Sequence, residues 1–135
     1  MPGGHYPVHV RFSDVDVYGH VNNVKYFEYF QEARIQLMVA QDRELGQEMA
    51  DGYHLVVAQT DVDYKRPILF RPEPYECRTW VSRIGSTSVV FESVVLDDLA
   101  GGEVLARATV VGVCLDNETG RPAPVPEAFR EHAAR

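Results

Sequence analysis

The sequence has 135 residues, of which 45% are hydrophobic and 24% charged, and a formal net charge of −7. That length suits one domain, 1–135, able to bury a core without disulfide staples. The acidic balance argues against broad nucleic-acid or anionic-membrane binding, which needs a basic footprint, but a few arginines can still hold a small anionic ligand.

Cys77 and Cys114 lack metal-ligand spacing and read as free thiols of a reducing compartment. No apolar run approaches the ~18 residues of a membrane span. Met1 to His9 has neither a basic nor an apolar signal region. The expectation is a cytoplasmic protein with no membrane and no nucleic-acid partner.

Val8-His9-Val10-Arg11-Phe12 alternates with period two and predicts a first strand with Val8, Val10 and Phe12 on one face. Ser13 to Asn23 is polar, contains Gly19 and reads as a loop. Val24, Phe27, Phe30, Ala33, Leu37 and Met38 then recur at spacings of three and four, which predicts an amphipathic helix of about 18 residues, roughly 27 Å long. Asn22 and Asn23 suit its N-cap, and Gly46 and Gly52 mark the region where it has ended.

Strands follow. Ala58 to Lys65 alternates, with Ala58, Thr60, Val62 and Tyr64 on one face. Pro67, Pro72 and Pro74 interrupt the pattern. Tyr75 to Ile84 and Ser88 to Leu96 flank a Gly85-Ser86 turn, and Glu103 to Leu115 follows a turn from Asp97 to Gly102. Pro126 to Ala134 reads as a short terminal helix. Hairpin joints imply antiparallel pairing. The helix must bury its stripe on the sheet, so the expected fold is α+β, a five-stranded antiparallel sheet wrapped around one long helix. A single helix covers only part of such a sheet, and the uncovered part predicts a second copy, in a homodimer or homotetramer.

The stretch Asp14-Val15-Asp16-Val17-Tyr18-Gly19-His20-Val21-Asn22-Asn23-Val24-Lys25-Tyr26 carries the chemistry. It feeds a helix N-terminus, whose unpaired N–H groups and positive dipole end can stabilise an oxyanion. A carboxylate on the same loop can attack a carbonyl or activate a water beside those donors. The competing reading makes Asp14, Asp16, Asn22 and Asn23 ordinary loop and capping residues, which dominate turns.

Asp16, Gly19, His20, Val21, Asn22, Asn23 and Tyr26, followed by Phe30, Glu32, Ala33 and Arg34, resemble the signature of the 4-hydroxybenzoyl-CoA thioesterase family of hotdog proteins. The resemblance implies a hotdog fold and acyl-CoA thioester hydrolysis, with a fatty-acyl or aromatic acyl-CoA as substrate. It puts Asp16 at the family's catalytic aspartate and the Asn23 backbone N–H at the donor that polarises the thioester carbonyl. It also implies active sites formed between subunits. Asp14, nearer the strand, is the competitor with a structural role. His20, whose ordinary pKa lies near neutrality, is a further candidate for catalysis or for orienting the loop. Glu28 and Glu32 are second choices on the helix. No metal and no redox cofactor is implied.

Coenzyme A carries phosphates that arginine suits. Lys65, Arg66, Arg71, Arg78 and Arg83 are candidates, and Arg83, beside the Gly85-Ser86-Thr87-Ser88 turn, is the first choice. Ser86 and Thr87 join it as substrate-binding residues, and Tyr26 is expected against the acyl group. Two alternatives remain: a non-catalytic acyl-CoA-binding hotdog module, and a hotdog dehydratase. In a dehydratase the Asp and His lie about five residues apart after a different loop, whereas Asp16 and His20 are four apart.

Overall fold

The computed structural model describes residues 3–41 and 52–133. In chain order it comprises β1 (Gly3–Val8), α1 (Lys25–Gln36, continued as a wider turn over Leu37–Gln41), β2 (Tyr53–Tyr64), β3 (Tyr75–Ile84), β4 (Ser88–Asp97), β5 (Glu103–Asp116) and α2 (Glu127–Ala133). The strands form one antiparallel sheet in the order β1-β3-β4-β5-β2. This is the hotdog arrangement, with α1 packed chiefly on β1 and β3.

The alternating strands β3, β4 and β5 form where their side chains predict them, because each has an inward apolar row and a turn at either end. The Gly85 N–H closes the β3–β4 turn on the Ser88 carbonyl at 2.8 Å. The first strand is displaced from its prediction. Gly3–Val8 pairs with Trp80–Tyr75 of β3, and Val8 is its last residue. Val10 is buried, but Phe12 lies in a short 3-10 turn, 80% exposed, with its ring edge-on to Phe70. β2 begins earlier than predicted, at Tyr53, because a bulge between Val57 and Gln59 hides the alternation of its first half.

The helix also differs in detail. Val24 is the N-cap, and the Asn22 side chain accepts the Val24 N–H at 3.1 Å from just outside it. The buried stripe is Tyr26, Tyr29, Phe30, Ala33 and Leu37. Phe27, predicted inside, is exposed, as are Val24, Ile35 and Val39. The tyrosines turn inward because each hydroxyl finds a buried partner. Tyr26 Oη accepts the Ile68 N–H at 3.3 Å, and Tyr29 Oη donates to Asp14 at 2.7 Å. Gly46 lies outside the described residues, as does Ala134.

One core cluster joins α1 to β1, β3, β4 and β5 through Phe30, Ala33, Val8, Cys77, Val95 and Ala108. A second, at the far end of the helix, gathers Leu37, Val81, Val89, Phe91, Val110 and Phe129 of α2. Full burial of a side chain such as Phe129 stabilises by about 1.5–3 kcal/mol. Both cysteines are buried and form no disulfide, and burial pushes Cys77 up to about 12, which leaves it unreactive. Among the described residues no helix is long and apolar enough to cross a membrane.

Candidate active site

The loop between β1 and α1 divides into an inner and an outer carboxylate. Asp14 is fully buried. Its carboxylate accepts the Tyr29 hydroxyl at 2.7 Å and the Arg11 N–H at 3.0 Å, and the Arg11 guanidinium lies 3.0 Å from its other oxygen. Burial alone would raise its pKa. The Tyr29 hydroxyl and both Arg11 donors outweigh that and hold the carboxyl below its usual value. The same bond, together with burial, drives the Tyr29 hydroxyl up. Asp14 also accepts the Asn22 N–H on its own carbonyl, at 2.8 Å, so it ties the base of the loop to the entry of the helix.

Asp16 faces outward. Its Oδ1 accepts the Tyr18 N–H at 2.9 Å and, more weakly, the His20 N–H at 3.4 Å, and its other oxygen meets no donor among the described residues. The Asp16 N–H donates to the His20 carbonyl at 2.9 Å, and the Gly19 N–H returns to the Asp16 carbonyl at 3.1 Å. Gly19 has φ +77°, a left-handed conformation that a glycine adopts without strain. Val15 and Val21 bridge below this tight turn, and His20 bridges Leu69. The Val21 N–H reaches the Ile68 carbonyl at 2.8 Å, which locks the loop to the segment after β2.

A cavity of about 340 Å³ opens at the head of α1, and Asp16, His20, Asn23 and Tyr26 line it together with Tyr64 and Lys65. The Asn23 N–H donates to no described residue, whereas its carbonyl accepts the Tyr64 hydroxyl at 3.0 Å. The Tyr26 ring meets Tyr64 edge-on at 4.8 Å, and burial raises its hydroxyl pKa. The cavity is therefore lined by a carboxylate residue whose second oxygen meets no described donor and by a helix-entry residue whose N–H meets no described acceptor.

Tyr64 did not stand out in the sequence as a site residue. Its position at the end of the β2 alternation was the available signal. Lys65 and Arg66 also border the cavity, and Arg66 pairs with Glu103. Arg83, Ser86 and Thr87 lie elsewhere. β1 runs antiparallel to β3 with Val8 opposite Tyr75, so the Asp16 loop sits at the Tyr75 end and Arg83 at the other, about 26 Å along the strand. At that far end the Thr87 carbonyl accepts the Cys114 N–H, and Arg130 of α2 donates to the carbonyls of Gly85 and Ser86. Glu28 and Glu32 border a different surface, beside Arg11 and Tyr29, and Glu28 pairs with Lys25.

The hotdog sheet, with a cavity at its helix entry, fits the class of thioester hydrolases. The model of the thioesterase-like superfamily matches residues 10–132, and the chain belongs to that family. It is 35% identical over 122 residues to the Bacillus subtilis (strain 168) protein YsmA, covering 84% of this chain and 74% of that protein. It is 27% identical over 128 residues to the long-chain acyl-CoA thioesterase FadM of Escherichia coli (strain K12), covering 92% of each. Among solved structures, a thioesterase from Thermus thermophilus complexed with coenzyme A and Zn shares 34% identity over 97% of both chains, with a TM-score of 0.77.

Proposed function

We propose that the chain hydrolyses acyl-CoA thioesters to a free acid and coenzyme A, with Asp16 as the catalytic carboxylate and the Asn23 N–H as oxyanion donor. The observation that carries this reading is the shared cavity at the head of α1, lined both by Asp16, whose second oxygen meets no described donor, and by Asn23, whose N–H meets no described acceptor. A thioester carbonyl on the Asn23 N–H lies in the positive field of the helix entry, so negative charge developing on its oxygen is stabilised as the C–S bond breaks. Asp16 attacks the carbonyl carbon or takes a proton from the attacking water. His20 holds the Asp16 turn through its backbone, and Tyr26 forms the cavity wall. The relatives named for acyl-CoA and coenzyme A support this substrate class.

The working unit in this reading is a dimer joined along β2. That strand is a sheet edge of 12 residues, long enough to template pairing with another chain. The exposed helix residues Val24, Phe27, Ile35 and Val39 and the strand residue Val57 extend the apolar surface beside it. Antiparallel pairing of two β2 strands about a two-fold axis swaps their ends. The partner subunit's Arg83, Ser86 and Thr87 then come to the Asp16 end, where they meet coenzyme A alongside Lys65. A cytoplasmic setting suits this substrate and two cysteines that form no disulfide.

A thiol-release assay over short, long and aromatic acyl-CoAs tests the reading. The expected result is one free thiol and one free acid per acyl-CoA consumed. Binding of acyl-CoA without release of thiol from any of them would make the chain a binding module.

A further inference from the structure

Arg34 stands apart from the other described arginines. Arg11, Arg66, Arg71, Arg78 and Arg107 pair with Asp14, Glu103, Asp97, Glu76 and Glu92 respectively. Arg130 donates to backbone carbonyls. Arg83 and Arg121 have no side-chain partner among the described residues, but both are exposed to water. Arg34 is partly buried on α1, and no described carboxylate or carbonyl meets its guanidinium. Burial alone acts on it, drawing its pKa down from the usual arginine value. A guanidinium stays protonated through such a shift.

Its surroundings are apolar. Arg34 borders a cavity of about 300 Å³ between the second half of α1 and the sheet, lined by Met38, Leu55, Val57, Phe91 and Val110 among others. No carboxylate lies in the described lining, and the His54 ring there bonds to Asn117. Among the described residues, a cation held in such a wall has lost hydration without recovering it from a partner. An anion placed on it restores that loss, and the apolar lining takes whatever chain the anion carries.

We propose that this cavity binds an alkyl carboxylate, with the aliphatic chain among Leu55, Phe91 and Val110 and the carboxylate on Arg34. Two sources share this chemistry. One is the free fatty acid that hydrolysis releases. The other is an acyl group with a second carboxylate at its far end. Arg34 lies about three turns of α1 beyond Asn23, roughly 16 Å along the axis, so it reaches a chain end and not a thioester held at the helix entry. Naming this ligand extends the thioesterase reading, but its binding is measured without turnover, so either can fail alone.

Calorimetry with decanoate and decanol, on the full chain and on Arg34→Met and Arg34→Lys, tests the site. Decanoate should bind the wild type at least ~10-fold tighter than decanol, the range of one charge-assisted bidentate contact. Arg34→Met should lose that preference while still binding decanol, with oligomeric mass unchanged. Arg34→Lys, which keeps the charge but not the fork, should retain part of it and carries the test if Arg34→Met does not fold. Equal affinity for the two ligands, or an undiminished preference in the variants, overturns the proposal. So does dissociation of the oligomer by Arg34→Met, which would assign the guanidinium to a second copy. Decanoyl-CoA and its carboxyl-terminated counterpart distinguish the sources. A carboxylated acyl group predicts that Arg34→Met lowers kcat/KM for that substrate at least ~10-fold relative to decanoyl-CoA. A free acid predicts the same ratio in both proteins, with inhibition by decanoate relieved in the variant.

Discussion

In the proposed function the two ends of the sheet carry different halves of a thioester site. At the end where β1 stops and α1 begins, Asp16, Asn23, Tyr26 and Tyr64 line one cavity, and among the described residues the Asn23 N–H and the second Asp16 oxygen meet no partner. At the other end, Arg83 and the Gly85-Ser86-Thr87 turn offer a cation and small polar residues, their backbone held by Arg130 and by pairing with Cys114. In the proposed reading one end serves the chemistry and the other the phosphates, with about 26 Å between them along β3. The proposed dimer would complete a site by antiparallel pairing of two copies about a two-fold axis across the long edge strand. On that reading an unpaired strand edge belongs to the mechanism as much as the loop does.

Breaking that edge should have the largest effect. Val57→Lys puts a charge on the exposed edge strand, where like charges from two copies would face each other across the two-fold axis. The expected result by light scattering is a species at the mass of one chain, 15.2 kDa, with turnover reduced at least ~100-fold because the substrate is no longer clamped from both sides. If the wild type itself runs at that mass, the shared-site account is wrong.

Within the Asp16 end, Asp14 and Asp16 should part company. Asp14→Ala strands the buried Tyr29 hydroxyl and is expected to cost about 1–3 kcal/mol, a fall of roughly 4–10 °C in Tm by calorimetry. Asp14→Asn sharpens this with pH. The folded-state pKa of Asp14 is depressed, so its contribution is fully present above the unfolded value of about 3.9 and is lost as the pH falls through the lower folded value. The Tm gap between wild type and Asp14→Asn should therefore be widest near neutrality and close below about pH 4. A gap that widens in acid would contradict the ion-paired Asp14.

The smallest effect belongs to the far end. Arg83→Ala should raise KM several-fold more than it lowers kcat, because a phosphate contact remote from the carbonyl contributes nearly uniform binding. An unchanged KM in the folded variant would return Arg83 to the role of a solvated strand charge.

Much of this organisation was legible in the sequence, for reasons that also explain the gaps. β3, β4 and β5 alternate cleanly between turn residues, so their bounds follow from period and punctuation. β1 did not, because Gly3, Gly4 and Pro7 are poor strand formers and form one by pairing with β3. Val8 to Phe12 alternates for another reason: Val8 and Val10 are buried while Phe12 leans on Phe70 outside. The helix face was misjudged because hydrophobicity ranks Phe27 above Tyr26 and Tyr29, and only the fold shows that the tyrosine hydroxyls have buried partners. The contrast between Asp14 and Asp16 followed from the family resemblance. The structure supplies its physical basis in the Tyr29 and Arg11 bonds, which the sequence pattern does not encode.

The most direct test of the account is the turnover of Asp16→Asn at saturating acyl-CoA, read by thiol release beside its melting curve. The amide oxygen can still accept the Tyr18 N–H, so the turn should hold, while the charge and basicity are gone. The account predicts a fall in kcat of at least ~100-fold with KM and Tm nearly unchanged. Near-normal turnover in Asp16→Asn, with activity abolished instead by Asp14→Asn or Glu32→Gln, would contradict it.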